Sequence, residues 1–229
     1  MPWTSIGVDD GSAMDVYVER PRDERVPAVI VVPEIFGVNG HIRDVVRRVA
    51  ELGYVAVAPD LFHRGVRRFE GRYDEVAAAR AHAHALARPA LEADLRAVYK
   101  WLAADAQAEE SRLAAWGFCF GGRVALRAAV VLPLRATISF YGGMFDDFLD
   151  EVRHIHGAVL TTWGGLDPII PTATRHALAE ALAAEKLSYV DAVFGDATHG
   201  FFCDDRGSYH EPSARQAWEL ARAFLATHV

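Results

Sequence analysis

The chain has 229 residues, of which 52% are hydrophobic and 24% charged, and it carries a net charge of −7 at neutral pH. That length can bury a full core and suits one α/β domain spanning residues 1–229. The acidic balance argues against nucleic acid as a partner, since phosphate binding needs a basic face, and two cysteines, Cys119 and Cys203, are too few for a disulfide framework and point to a reducing compartment.

Taken in chain order, the N-terminal Met1-Pro2-Trp3-Thr4-Ser5-Ile6 lacks a basic segment followed by a long apolar run, so no signal peptide is expected. No apolar stretch is long enough to cross a bilayer, and a cytoplasmic location without membrane attachment is the expectation. Met14–Glu19 alternates apolar and polar residues, as a half-buried edge strand does. Val26–Val32 is nearly all apolar, as a central strand covered on both faces is. His41 to Leu52 places Ile42, Val45, Val46 and Val49 on one helical face and closes at Gly53. Tyr54–Ala58 reads as the next strand, and the alanine-rich stretch from Tyr73 to Ala104 as one or two helices broken near Pro89. Strands follow at Arg112–Trp116, Ala136–Phe140, Ala158–Gly165 and Tyr189–Phe194, with final helices at Pro171–Glu185 and Pro212–Thr227. Continuous β/α alternation predicts a mostly parallel central sheet with helices on both faces.

Between the strand ending at Trp116 and the helical stretch beginning at Arg123 stands Gly117-Phe118-Cys119-Phe120-Gly121-Gly122. This is the pattern of a nucleophile elbow, with a thiol in place of the usual hydroxyl. Small residues flank the nucleophile because so tight a strand-to-helix turn leaves no room for Cβ atoms. The same turn puts Cys119 at a helix N-terminus, where unpaired N–H groups and the macrodipole favour a thiolate. A nucleophile needs a base and an orienting acid. Asp167 follows the Ala158–Gly165 strand, and His199 follows the Tyr189–Phe194 strand. In a parallel sheet the carboxyl ends of strands form one edge, so Cys119, Asp167 and His199 have both the order and the placement of a triad. Glu34, just past Val32-Pro33, belongs to the same edge; by itself it reads as a solvated carboxylate at a strand end.

These residues resemble the dienelactone hydrolase family of the α/β-hydrolase fold. The likeness rests on Glu34-Ile35-Phe36-Gly37-Val38-Asn39, on Gly53-Tyr54 through Pro59-Asp60-Leu61-Phe62, on the Cys119 elbow, on Gly165-Leu166-Asp167-Pro168 and on His199-Gly200-Phe201. It implies hydrolysis of a small-molecule ester or lactone by a Cys119-His199-Asp167 triad through a thioester. It also implies that Glu34 is an auxiliary catalytic residue beside the thiol, where its charge opposes the thiolate that the helix favours. The resemblance further places an oxyanion hole at the backbone N–H groups of Phe120 and Ile35. The family holds a substrate carboxylate with arginines, and where one of these follows the histidine this chain has Cys203. Arg206, and Arg80 or Arg88 on the alanine-rich stretch, are the candidate replacements. Phe36 and Tyr141 are candidate pocket walls.

The remaining features carry less. His82 and His84 point in different directions on a helix, and His154 and His156 lack a third ligand, so no metal is expected. Trp3, Trp101 and Trp218 read as packing aromatics. No glycine-rich phosphate loop stands at a strand–helix junction, so no nucleotide cofactor is expected. A monomer or weak homodimer is the expected state. The competing reading is a non-hydrolytic protein of this fold that binds a small acid or senses oxidants through Cys119.

Overall fold

The computed structural model describes residues 2–22, 25–145 and 147–229. Its contacts group into two units, Met1–Leu113 and Ala114–Val229.

The first unit holds β1 (Trp3–Gly7), β2 (Ala13–Glu19), β3 (Val26–Val32), α1 (Gly40–Glu51), β4 (Val55–Pro59), α2 (Val76–Ala85) and α3 (Arg88–Ala103). The strand β5 (Ala108–Phe118) starts in this unit and ends in the next. β2 is not the edge strand that its alternation suggests. β1 pairs antiparallel along its outer side, Trp3 opposite Tyr17 and Gly7 opposite Ala13, and Met14 and Val16 are fully buried. β1 escapes pattern reading because only Ile6 of its five residues is buried, so no apolar run marks it. β4 pairs antiparallel with β2 and parallel with β3.

Helix α1 follows from local rules. Asn39 accepts the Ile42 N–H at 3.1 Å as an N-cap, and Ile42, Val45, Val46 and Val49 form the buried face. The alanine-rich stretch splits into α2 and α3, with Pro89 in the first turn of α3, where its missing N–H costs no hydrogen bond. Polar locks fix the loop after β4. Arg64 grips the fully buried Asp94 at 2.7 and 2.8 Å, and Arg67 and Arg68 both bind the buried Asp15.

The second unit holds the end of β5, then α4 (Phe120–Val131), β6 (Ala136–Phe140), a short 3-10 helix at Leu149–His154, β7 (Ala158–Gly164), α5 (Thr172–Ala184), β8 (Tyr189–Phe194) and α6 (Glu211–His228). β5, β6, β7 and β8 are parallel neighbours, with Gly117 opposite Ser139, Ser139 opposite Thr161 and Thr162 opposite Ala192. Their carboxyl ends therefore emerge along one edge. Beneath them Trp116 stacks on Trp218 at 5.2 Å and Phe118 on Phe202 at 5.4 Å, so Trp218 is the packing aromatic the sequence suggests. The 3-10 helix is not legible in the sequence, because only Val152 of its six residues is buried. Among the described residues the sheet has eight strands in the order β1-β2-β4-β3-β5-β6-β7-β8, the mostly parallel α/β arrangement expected from the alternation of elements.

Candidate active site

The sharpest local feature of the second unit is the junction of β5 and α4. Cys119 has φ 55° and ψ −117° and serves as the N-cap of α4. A non-glycine residue in the left-handed region is costly, so the surroundings must enforce it. Two constraints do. The Cys119 N–H donates to the Phe140 carbonyl at 2.9 Å, and Gly117 lies so close to Gly121 that a Cβ on it would collide with the Gly121 carbonyl. The thiol is half-buried, at the head of a buried helix.

His199 reaches the thiol from the loop after β8. Its Nε2 lies 3.1 Å from the Cys119 Sγ, and its Nδ1 lies 2.8 Å from Asp167 Oδ2. The other Asp167 oxygen accepts the N–H groups of Ile169 at 2.7 Å and Ile170 at 3.1 Å. The carboxylate is thus fixed by its own loop and presents a single oxygen to the imidazole. Both side chains are buried, His199 at 6% and Asp167 at 3% exposure. Burial works against the charge on His199, yet its hydrogen bonds to Asp167 and Cys119 and their charges outweigh it and push the imidazole up to about 10. Burial likewise opposes the Asp167 charge. The His199 hydrogen bond and charge, with the two loop N–H groups, reverse that and hold Asp167 below the usual carboxylate range. The arrangement sets a thiol, an imidazole and a carboxylate in continuous hydrogen-bond contact.

The chain matches the dienelactone hydrolase family over residues 14–229. It belongs to that family. It is 36% identical to a candidate carboxymethylenebutenolidase of Salmonella typhimurium, over 95% of this chain and 84% of the relative. A candidate carboxymethylenebutenolidase of Synechocystis is 33% identical, over 89% and 87% of the two chains. Among solved structures, a candidate dienelactone hydrolase of Klebsiella pneumoniae superposes with a TM-score of 0.90 at 34% identity, covering 98% of this chain and 97% of the other. The fold is therefore that of the dienelactone hydrolases.

Of the residues marked by sequence as candidates in this family member, the structure brings Cys119 and Asp167 each into direct contact with His199. Tyr141 joins them: fully buried, it sets its ring edge-on to the His199 ring with centroids 5.2 Å apart. Arg206 also lies by the histidine loop. Its guanidinium occupies the space that a Cβ on Gly200 would take. Phe120 opens α4 directly after Cys119. Glu34, Ile35 and Phe36 lie in the first unit, just past β3; Glu34 is 1% exposed, and the Phe36 ring packs edge-on against Tyr73 at 4.7 Å. Arg80 is exposed on α2, and Arg88 is engaged by Glu92 at 3.1 Å. Sequence reasoning missed the backbone grip of Ile169 and Ile170 on Asp167. The signal was present, because an aspartate ahead of proline favours a turn in which its own side chain accepts downstream N–H groups.

Among the described residues no helix is long and apolar enough to cross a membrane.

Proposed function

We propose that this family member hydrolyses carboxylic esters or lactones with Cys119 as the nucleophile. The observation that carries the reading is the continuous contact from Cys119 Sγ through His199 to Asp167, at 3.1 and 2.8 Å. The thiolate sulfur bonds to the carbonyl carbon, and the tetrahedral oxyanion is stabilised by the Phe120 N–H at the helix head. His199 gives its proton to the leaving alkoxide as the thioester forms. It then takes a proton from water, whose oxygen attacks the thioester carbonyl, so that the acid is released and the thiolate regenerated. With a lactone both product groups stay on one molecule. Asp167 holds the imidazole orientation and stabilises its charged form. The relatives' name, carboxymethylenebutenolidase, describes a lactone with an acidic arm, and Arg206 beside Gly200 is the group suited to meet that carboxylate.

The test is turnover of p-nitrophenyl acetate. Steady release of p-nitrophenolate by the wild type, abolished in a folded Cys119→Ala variant, is the expected result. A single burst with no steady release would replace hydrolysis with the acyl-trapping, sensor-like reading. Unchanged turnover in Cys119→Ala would remove Cys119 from the chemistry.

A further inference from the structure

Of the residues after β6, Tyr141 meets His199 directly, and Gly142 and Gly143 pack against neighbours of Cys119 and Asp167. Tyr141 follows Phe140, whose carbonyl accepts the Cys119 N–H, and its own N–H donates to Thr162 at 2.7 Å. Its ring meets His199 edge-on. Gly142 presses on the first turn of α4, where a Cβ on it would come within 2.9 Å of the Arg123 nitrogen. Gly143 packs on the side chain of Ile170, whose N–H holds Asp167. This close fit comes with backbone strain, since Tyr141 and Met144 have φ values of 40° and 57°. Non-glycine residues persist there only when their surroundings over-determine them.

The restraint comes from the nucleophile's own helix. Arg123, in the first turn of α4, donates from Nη2 to Asp147 Oδ2 at 2.7 Å, with its guanidinium carbon 5.9 Å from the centre of the Phe148 ring. One turn later Arg127 donates to Glu151 at 2.8 Å and lies 5.9 Å from the same ring. Phe148 is buried, and Phe145 packs against it and against Trp163. A cation in the first turn of a helix opposes the macrodipole, and α4 has no acidic residue there to offset it. Asp147, three positions past Met144, supplies that offset.

We propose that Arg123 is a positioning residue: its ion pair with Asp147 ties the Tyr141–Met144 segment to the helix that Cys119 caps, and so keeps the Tyr141 ring on His199. The proposal rests on the catalytic reading of the triad. It predicts that breaking the pair releases the strained segment, opens His199 to water and misaligns it with the thiol, although neither Arg123 nor Asp147 touches substrate.

Arg123→Met, Asp147→Asn, the double variant and Arg123→Lys test this, with Arg127→Met as a control that removes the neighbouring clamp. The readouts are the pH profile of Cys119 alkylation by iodoacetamide, which needs no ester turnover, and kcat and KM for p-nitrophenyl acetate. The expected result is a displaced alkylation profile and a kcat about tenfold lower or more in both single variants, with KM little changed. The double variant should lose no more than either single one, and Arg123→Lys should recover most of the activity. Arg127→Met should lower thermal stability but leave the alkylation profile in place. Superimposable alkylation profiles for wild type and Asp147→Asn overturn the proposal. Should Arg123→Met fail to fold, Asp147→Asn decides, because Asp147 is half exposed. A wild type that alkylates at Cys119 yet turns over no ester defeats the hydrolase reading alone and leaves this comparison valid.

Discussion

At the scale of single residues, the site sets two effects against each other and the charge pair wins. Burial alone would strip His199 of its proton, but Asp167 on one side and Cys119 on the other raise it to about 10. An imidazole that keeps its proton through neutral pH is equipped to protonate an alkoxide leaving group. Arg206 is the residue whose role is most open to a direct reading. Its guanidinium stands against Gly200, the residue immediately after the histidine. If it meets a substrate carboxylate, Arg206→Met raises KM about tenfold for a lactone bearing a free carboxylate, the worth of one charge-assisted contact, and leaves KM for p-nitrophenyl acetate within about twofold. Equal effects on both substrates would make Arg206 a structural group.

At the scale of elements, the elbow joins sequence to chemistry. Gly117 and Gly121 fold β5 onto α4 so tightly that Cys119 is forced to a positive φ, and that strain projects the thiol from the sheet edge. Gly117→Ala is therefore expected to destabilise the protein by more than about 1 kcal/mol, since the new methyl meets backbone that cannot move aside. Thermal melts of purified variant and wild type check this, and an unchanged midpoint would contradict the packing described. The elbow was legible because glycine spacing and a strand-to-helix change coincide in six residues. β1 was not legible, because its stability comes from pairing with β2 and not from an apolar face of its own. Nor was the Arg123–Asp147 tie, a contact across 24 positions that neither periodicity nor motif announces.

At the scale of the whole molecule, the mostly parallel sheet class follows from β/α alternation, and the common carboxyl edge of β5 to β8 follows from their parallel pairing. Sequence put Cys119, Asp167 and His199 just beyond three of those strands, and the structure brings the His199 ring against the other two side chains. The same fold holds carboxylates that set its acid stability. Asp15 is held below its ordinary value by hydrogen bonds to Arg67, which with Arg68 outweigh burial, and Asp167 is held low by His199. Groups with depressed folded values contribute stability above their unfolded value and lose it as pH falls through the folded one. Asp60 runs the other way, because burial raises it. The thermal midpoint should thus fall between about pH 5 and pH 2, with a shallower slope in Asp15→Asn. A midpoint that holds steady or rises on acidification would contradict these assignments.

The proposed hydrolysis turns on a covalent bond to one sulfur. Intact-mass and peptide-mapping measurements on protein quenched during turnover of p-nitrophenyl acetate read that bond directly. The predicted result is a single acetyl group on Cys119 that accumulates at the first time points, decays at the rate of steady turnover once ester is consumed, and never forms in Cys119→Ala. Turnover that proceeds with Cys119 unmodified, or an acetyl group found on another residue and cleared at the turnover rate, would contradict it.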